Sequence, residues 1–496
     1  MEWWHNLPIF LIILPLASSP ILSVLKPKAS RALLVFVSTA VLVMSVVLTV
    51  LLSMNGGDIT IKMGEVGAPF GNELYISTAE CVVSVLFAVV MLLSLLSGMR
   101  RIGEEIVDHR KSLFFTVSSL LLSAIQAIAI TNDLFTGYVF LEITTIAAGA
   151  LIFVRNREGS LFAAMRYMLM NLLGSGLFLL GLSVFYCLTG ELLFPQLKIK
   201  ALAILETGRY MGPFTVSILL MALGLAVKSA LYPFHTWLPN AYSGATPAAS
   251  SMLSSLVSKA YIFLLVKILF RATTLEAFVN TGANDVIFLY SVIAIIMGSV
   301  DAIREHNVRR MVSYSSVAQI GYIFLAVSFG TEYGMAAAVF HIAAHSIAKA
   351  MLFPAVDRLT EVSGGNENFR DLRGSGKRAP LAGLAFVVGA FSITGIPFLG
   401  GFASKIYLAT ASVQFGGWRM LISLGALAIS TVLNILYFLR TVLTLYRPGE
   451  KYPFAKDSAK RPLMSAALVV FIALNVALGI AAMPVFELIQ SGIALW

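Results

Sequence analysis

The chain has 496 residues, 58% of them hydrophobic and only 12% charged, with a mean hydropathy of +0.88. Ordinary soluble domains carry about twice that charged fraction, and a soluble core cannot absorb so much apolar sequence without exposing large patches, so the composition indicates a polytopic helical membrane protein. The formal charge of +10 recurs in short loops between apolar segments rather than in one stripe interleaved with aromatics, which argues against a nucleic-acid partner.

A spanning helix needs about 20 mostly apolar residues. In the first half that rule gives spans near 7–25, 32–53, 81–99, 112–130, 134–154, 166–189 and 213–236. The second half gives spans near 247–270, 286–303, 310–329, 335–357, 380–412, 420–446 and 463–490, about fourteen in all. The first run has no basic leader, so no cleavable signal peptide is expected. Between the second and third spans, residues 55–77 alternate short apolar runs with glycines, the pattern of an external β-hairpin. The segment 190–212 is amphipathic enough to lie along the outer surface. Cys81 and Cys187 form no C-x-x-C pair; both read as small buried apolar residues, and no iron–sulfur, zinc or other cofactor is expected in this chain. No glycine-rich loop follows a strand to cradle a phosphate.

The lysines and arginines test this map. Putting the loop after the first span inside places 23 of them in inside loops and 6 in outside loops. That asymmetry supports an even number of spans with both termini outside. Six of the 35 cations remain within spans: Lys228, Lys259, Lys267, Lys349, Lys405 and Arg440. Lys267 and Arg440 lie near helix ends, where snorkelling is cheap. The other four are deep, and a charge at the helix centre costs roughly 2.5–3.5 kcal/mol.

In the fifth span Glu142 is the one acid expected deep in the first half, and it is the natural counter-ion of Lys228. The pair reads either as a static packing device or as a breakable proton site; lysine, unlike arginine, can deprotonate in a protein. Pro233 follows Lys228 by five residues, and His235 stands two residues further on, near a proton entrance or capping the broken helix. In "FHIAAHSIAKAMLF", His341, His345 and Lys349 are spaced by four and share one helix face. A proton relay fits them better than a metal site, because no acidic or cysteine ligands accompany them. Pro397, Gly400 and Gly401 interrupt the twelfth span just before Lys405. Two interrupted spans in corresponding halves are a pointer to an ion site. Ser313, Tyr314, Ser315, Ser316 and Gln319 put polar groups on the tenth span, either to hold water or to bond neighbouring helices.

The stretches "TNDLFTGYVFLEIT", "GLAVKSALYPFHTWLP", "VRRMVSYSSVAQIGY", "HIAAHSIAKAMLF" and "TGIPFLGGFASK", in that order over roughly 130–410, resemble the antiporter-like subunit family. Mrp-type Na⁺/H⁺ antiporters, the proton-pumping arm of complex I and membrane-bound hydrogenases share that family. The resemblance implies an all-α fold with two inverted five-helix repeats and broken seventh and twelfth helices. The implied organisation is an N-terminal three-helix region with the hairpin (1–111), the two repeats (112–270 and 286–446) and a C-terminal helix (463–496). It implies a proton axis in which Glu142, Lys228, Lys259, His345, Lys349 and Lys405 match family positions, supported by His235, His341, Ser315, Gln319, Pro233 and Pro397. The implied partners are other membrane subunits and protons, with sodium left open. Lysine at 405 and the short C-terminal extension favour the D-type antiporter subunit over the M-, L- and A-types. The alternatives are a pumping subunit of a complex I-like or hydrogenase assembly, a standalone solute carrier, or a purely structural subunit. One departure stands out: Asn240 and Tyr242 replace the usual acid and histidine of the loop after the seventh helix.

Overall fold

The computed structural model describes residues 3–63, 71–155, 159–448 and 461–496. Arg157, Lys451, Lys456 and Lys460 of the charge count lie outside the described residues, as does the hairpin tip, 64–70.

The chain opens with α1 (Leu7–Val24) and α2 (Pro27–Asn55), followed by strands β1 (Ile59–Lys62) and β2 (Glu73–Ile76). The strands pair antiparallel, Ile59 opposite Ile76 and Lys62 opposite Glu73, which is the expected hairpin. Then come α3 (Thr78–Glu105), α4 (Asp108–Ile130), α5 (Leu134–Phe153) and α6 (Ser160–Thr189). The helix α7 (Phe194–Thr207) is the amphipathic segment; it buries Phe194, Leu197, Ala201 and Ile204 and packs on residues 268–272. A broken span follows, α8 (Met211–Lys228) and α9 (Leu238–Gly244), then α10 (Pro247–Met252) and α11 (Ser258–Lys267). Short π-helical turns at Leu253–Val257 and Ile268–Ala272 flank α11 and complete one span with it. After α12 (Leu275–Asn280) come α13 (Ala283–Arg304), α14 (Val308–Ser328), α15 (Glu332–Glu361) and α16 (Ser375–Arg378). A second broken span is α17 (Pro380–Thr394) with α18 (Gly400–Phe415), and α19 (Gly417–Tyr446) and α20 (Pro462–Ile480) follow. The last span ends at Ile480, earlier than the apolar run suggests, and a separate helix α21 (Ala482–Ile493) packs on α3 and α15.

Among the described residues thirteen helical spans are long and apolar enough to cross a membrane, and the broken α17–α18 span makes the fourteenth. Each block of five spans, α4 to α11 and α13 to α19, contains one broken span in fourth place. An odd number of crossings starts the second block on the opposite face, so the two blocks run inverted. The span at 247–272 and residues 334–360 of α15 are enclosed by their neighbours, whereas most of α1, α2, α6, α19 and α20 faces outward with exposed aliphatic side chains. That outward face suits lipid. Helix starts are fixed locally. Ser77 and Glu80 form a capping box on α3, and Asp133, Asn307 and Thr331 cap α5, α14 and α15.

Three expectations change. Lys267 does not snorkel: it is fully buried, donating to the carbonyls of Ala129 (2.8 Å) and Thr131 (2.6 Å) with its amine 3.6 Å from Glu80. Glu142 is therefore not the one deep acid of the first half, because Glu80 is fully buried as well. Cys81 is buried, but Cys187 is exposed on the outward face of α6. Arg440 is exposed and lies over the Phe369 ring at 4.6 Å, as its place near a helix end predicts.

Candidate functional site

Both breaks are built alike. At the end of α8, Ala230 takes a left-handed conformation (φ 60), Leu231 N–H bonds the Ala226 carbonyl (2.9 Å) and Ala230 N–H bonds Val227 (3.1 Å). At the end of α17, Gly395 (φ 89) plays the same part, with Ile396 N–H on Phe391 (2.9 Å) and Gly395 N–H on Ser392 (3.0 Å). Each pair of bonds is the Schellman stop of a helix. Alanine in this region is strained where glycine is not. Pro233 and Pro397 follow each stop and stand exposed at the surface, so the helices end before the prolines and not at them.

Lys228 is the last residue of α8 and is fully buried. Its amine donates to Thr145 Oγ1 at 2.7 Å, lies 3.3 Å from Glu142 Oε1 and sits 5.3 Å above the Tyr261 ring. Ser175 on α6 donates to the same Glu142 oxygen. Thr145 also lies 3.1 Å from the Tyr261 hydroxyl, so α5, α6, α8 and α11 meet around one amine. Glu142 retains 27% of its side-chain surface, so the pair is buried on the lysine side and open on the acid side. The close approach of α6 and α8 needs two glycines: a Cβ on Gly224 would lie 2.6 Å from the Gly174 carbonyl oxygen.

Lys259 donates to the Ser254 carbonyl and to Ser258 Oγ (3.1 Å). The Ser254 carbonyl belongs to the π-helical turn, and such turns cluster at functional sites. Ser346 on α15 donates to the next carbonyl, Ser255, at 2.7 Å, which seats α15 on this turn. On α15, His341 Nδ1 lies 2.8 Å from Ser404 Oγ, and its ring stacks on His345 at 6.1 Å. His345 is buried, and neither of its ring nitrogens has a hydrogen-bond partner among the described residues. Lys259 and Lys349 both lie within electrostatic reach of that ring. Lys349 donates to the Val312 carbonyl (2.5 Å) and to Ser315. Lys405 is half-buried, donates to the Thr394 carbonyl and Thr431 Oγ1 (3.0 Å each), and lies 5.6 Å above the Tyr322 ring.

Among these four lysines only Lys228 has a carboxylate within 4.0 Å among the described residues; the others rest on carbonyls and hydroxyls. Ser313 and Ser316 bond carbonyls of their own helix, and Gln319 Nε2 is buried without a partner among the described residues, so of that polar set only Ser315 touches a lysine. His235 stands apart from the lysines' direct contacts. Its Nε2 is 3.3 Å from Asp301 on α13 and its ring stacks on Tyr232, so its side chain does not cap the broken helix. Asn240 and Tyr242, expected in a loop, lie in α9; Asn240 accepts from Arg310 (2.9 Å) and the buried Tyr242 donates to the Leu253 carbonyl (3.3 Å), which ties this divergent helix to α14 and the π turn.

Thr145, Ser175 and Tyr261 carry no charge and so escape a reading that looks for charges in apolar runs, while Asp301 stands near the end of the ninth span, where a charge is cheap. Thr145 lies three residues after Glu142 on the same helix face, and that spacing is the signal that finds it. No spacing links Ser175 or Asp301 to their partners, because they come from other helices.

The fold, with its thirteen long apolar helices and second broken span, is that of a multi-pass membrane protein. Residues 131–432 match the family described as NADH:quinone oxidoreductase/Mrp antiporter, TM, and the chain belongs to it. It is 32% identical to the N-type subunit of the NADH-quinone oxidoreductase of Desulforudis audaxviator over 71% of this chain and 68% of that one. It is 27% identical to the D-type subunit of the Na(+)/H(+) antiporter of Alkalihalophilus pseudofirmus over 97% of this chain and 95% of that one. The structure superposes on a chain of an archaeal membrane-bound sulfane sulfur reductase complex with a TM-score of 0.87, 27% identity, and coverage of 99% and 97%. The Mrp complex from a Dietzia species shares the fold, with a TM-score of 0.87 at 21% identity.

Proposed function

We propose that the chain is an ion-translocating, antiporter-like subunit of a multisubunit membrane complex, moving protons along Glu142, Lys228, Lys259, His345, Lys349 and Lys405. The observation that carries this reading is the contrast between the lysines: Lys228 is paired with Glu142, and the three beyond it have no carboxylate within reach among the described residues. An uncompensated charge in such a site is costly, so charging any one of the three disfavours charging its neighbours. A single extra proton is therefore held near Lys228 while Glu142 is in place. Weakening that pair, through the open side of Glu142, passes the proton toward Lys259 and His345. Lys349 and Lys405 complete the path, and Lys405 gates release.

A Mrp-type cation/proton antiporter is the parent assembly we favour, because the D-type antiporter relative aligns over nearly the whole of both chains. The second reading is a pumping subunit of a complex I-like or other respiratory complex, supported by the reductase complex that matches at similar identity and coverage. A standalone solute carrier is less well supported, since the polar groups form a line. The partners are other membrane subunits. The chain sits in a prokaryotic plasma membrane with its cation-rich loops inside and both termini outside. Sodium, if carried, binds elsewhere, because this axis offers it amines instead of oxygen ligands.

The test compares Lys228→Ala and Lys228→Arg in the assembled complex, in everted vesicles with matched expression and a pH-gradient dye. Both lose translocation. Wild-type flux in both would end this reading.

A further inference from the structure

We infer that the turns joining α1 to α2 and α3 to α4 form a binding site for the headgroup of an anionic phospholipid. A cavity of about 620 Å³ opens there. Four cations, Lys26, Lys28, Arg31 and Lys111, and one acid, Asp108, line it, and its floor is Met99, Ile102 and Phe115. Lys111 is committed to Asp108 at 2.6 Å. Lys26, Lys28 and Arg31 are exposed and have no ion pair among the described residues. The walls are held in place: Ser112 donates to the Leu25 carbonyl and Ser30 to the Leu22 carbonyl, each at 2.9 Å, which fastens the first turn to α4. Arg31 and Met99 also line an adjoining cavity of about 210 Å³ toward α20, but its other arginines are already paired, Arg100 with Glu104, Arg101 with Asp357 and Arg461 with Glu361, so the uncommitted cations stay at the first cavity.

Cations at a membrane boundary usually stand on convex surface and reach into water. Here they rim a concavity whose floor is buried and apolar, with Ile102, Phe115 and Met99 all under 9% exposed. A free phosphate would satisfy the rim but leave the floor unused. A phospholipid uses both, its phosphate on the three uncommitted cations and its glycerol end against the floor. From the same rim, α2 runs along the lipid face with Phe36, Val43, Val46 and Val50 exposed at helical spacing, a track for an acyl chain. Basic pockets between spanning helices hold anionic headgroups in this way, each cation contributing about a fivefold gain in affinity.

The test uses the full chain in its purified complex, stripped of lipid by detergent exchange. Phosphatidylglycerol and phosphatidylcholine are titrated in and bound lipid is counted by native mass spectrometry. Wild type holds phosphatidylglycerol and not phosphatidylcholine. Lys26→Ala/Lys28→Ala/Arg31→Ala loses affinity on the order of a hundredfold, while Lys62→Ala in the hairpin does not. Gly103 also lines the cavity, and a Cβ there meets nothing within 4 Å. Gly103→Phe therefore fills the space with the cations intact, and it too loses the lipid. Three results overturn the assignment. The first is wild-type binding of phosphatidylglycerol by both the triple variant and Gly103→Phe. The second is complete displacement of the lipid by millimolar inorganic phosphate, which makes a free anion the occupant. The third is a cross-link from Arg31 in the native complex that captures a neighbouring protein chain in place of lipid.

Discussion

The Lys405 amine lies 3.0 Å from the Thr394 carbonyl oxygen, across the break in the twelfth span. Thr394 ends α17, so the amine sits on the carbonyl end of a half-helix. Lys228 occupies the last turn of α8, the corresponding end of the other broken span. The partial negative charge at a helix C-terminus favours a nearby cation by about 0.3–1 kcal/mol, more where burial is deep. Each break thus supplies a weak, permanent anion beside one lysine. The first has the Glu142 carboxylate in addition, and the second has the neutral hydroxyl of Thr431 and the face of the Tyr322 ring. The two ends of the axis therefore hold a proton with different strength.

That difference makes Lys405 a residue whose charge should be transient. Lys405→Arg keeps a donor to Thr394 and holds the fold, but a guanidinium does not give up its proton. We expect the arginine variant to assemble normally and translocate poorly, while Lys405→Met loses flux and some thermal stability, the carbonyl being left without its donor. Flux in vesicles and the melting midpoint in detergent separate the two. An arginine variant with full flux would remove Lys405 from the path.

Thr145 makes the shortest contact to the Lys228 amine, 2.7 Å against 3.3 Å for Glu142. A hydrogen bond to a charged group contributes about 1.5–3 kcal/mol. Thr145→Val keeps the shape and removes the acceptor, so the charged amine loses that share of its stabilisation. The expected result is a fall in flux of about tenfold or more, with Thr145→Ser close to wild type. If valine and serine behave alike, the hydroxyl has no part in holding the charge.

Gly224 tests whether packing or chemistry positions the pair. Its added Cβ would meet backbone on α6, the Gly174 oxygen at 2.6 Å and the Phe178 nitrogen at 2.7 Å, and backbone cannot rotate away. Overpacking of this kind costs about 1–3 kcal/mol. Gly224→Ala should lower the melting midpoint of the purified chain and reduce flux by moving Lys228 against Ser175 and Glu142. Gly212→Ala, on the same helix with nothing within 4 Å of the new Cβ, should do neither. Equal midpoints for the two variants would show that α6 and α8 adjust freely.

The span map and both helix breaks are legible in the sequence because each rests on a local signal, an apolar run or a proline near a lysine inside it. The Lys228–Glu142 contact is legible because each is a conspicuous charge in an apolar run. What escapes is non-local. Glu80 closes the capping box of α3, and nothing in the spacing says that Lys267 arrives beside it from a helix 187 positions later. The π turns at 253–257 and 268–272 leave no mark in the apolar pattern, yet the first of them carries the carbonyl that Lys259 uses. Helix ends also shift. Left-handed Ala230, not Pro233, stops α8, and a hydropathy reading carries that span on to 236.

Outside the spans, Glu305 gives a prediction that titrates. It lies in the short link between α13 and α14 and accepts from Arg310 Nε (2.9 Å) and from the amides of His306 (2.9 Å) and Asn307 (3.3 Å). Partial burial alone raises its carboxyl, but the Arg310 and amide hydrogen bonds outweigh it and hold the group below the usual carboxylate range. A carboxylate lowered on folding contributes its stability above the unfolded value of about 4.3, and loses it as the pH falls through the folded value. Glu305→Gln should therefore melt below wild type at neutral pH, with the gap closing as the pH drops below about 4. Melting midpoints of the purified chain in one detergent across that range read the effect directly. A gap independent of pH would mean that the link is held by the neutral contacts of Asn307 and not by the charge of Glu305.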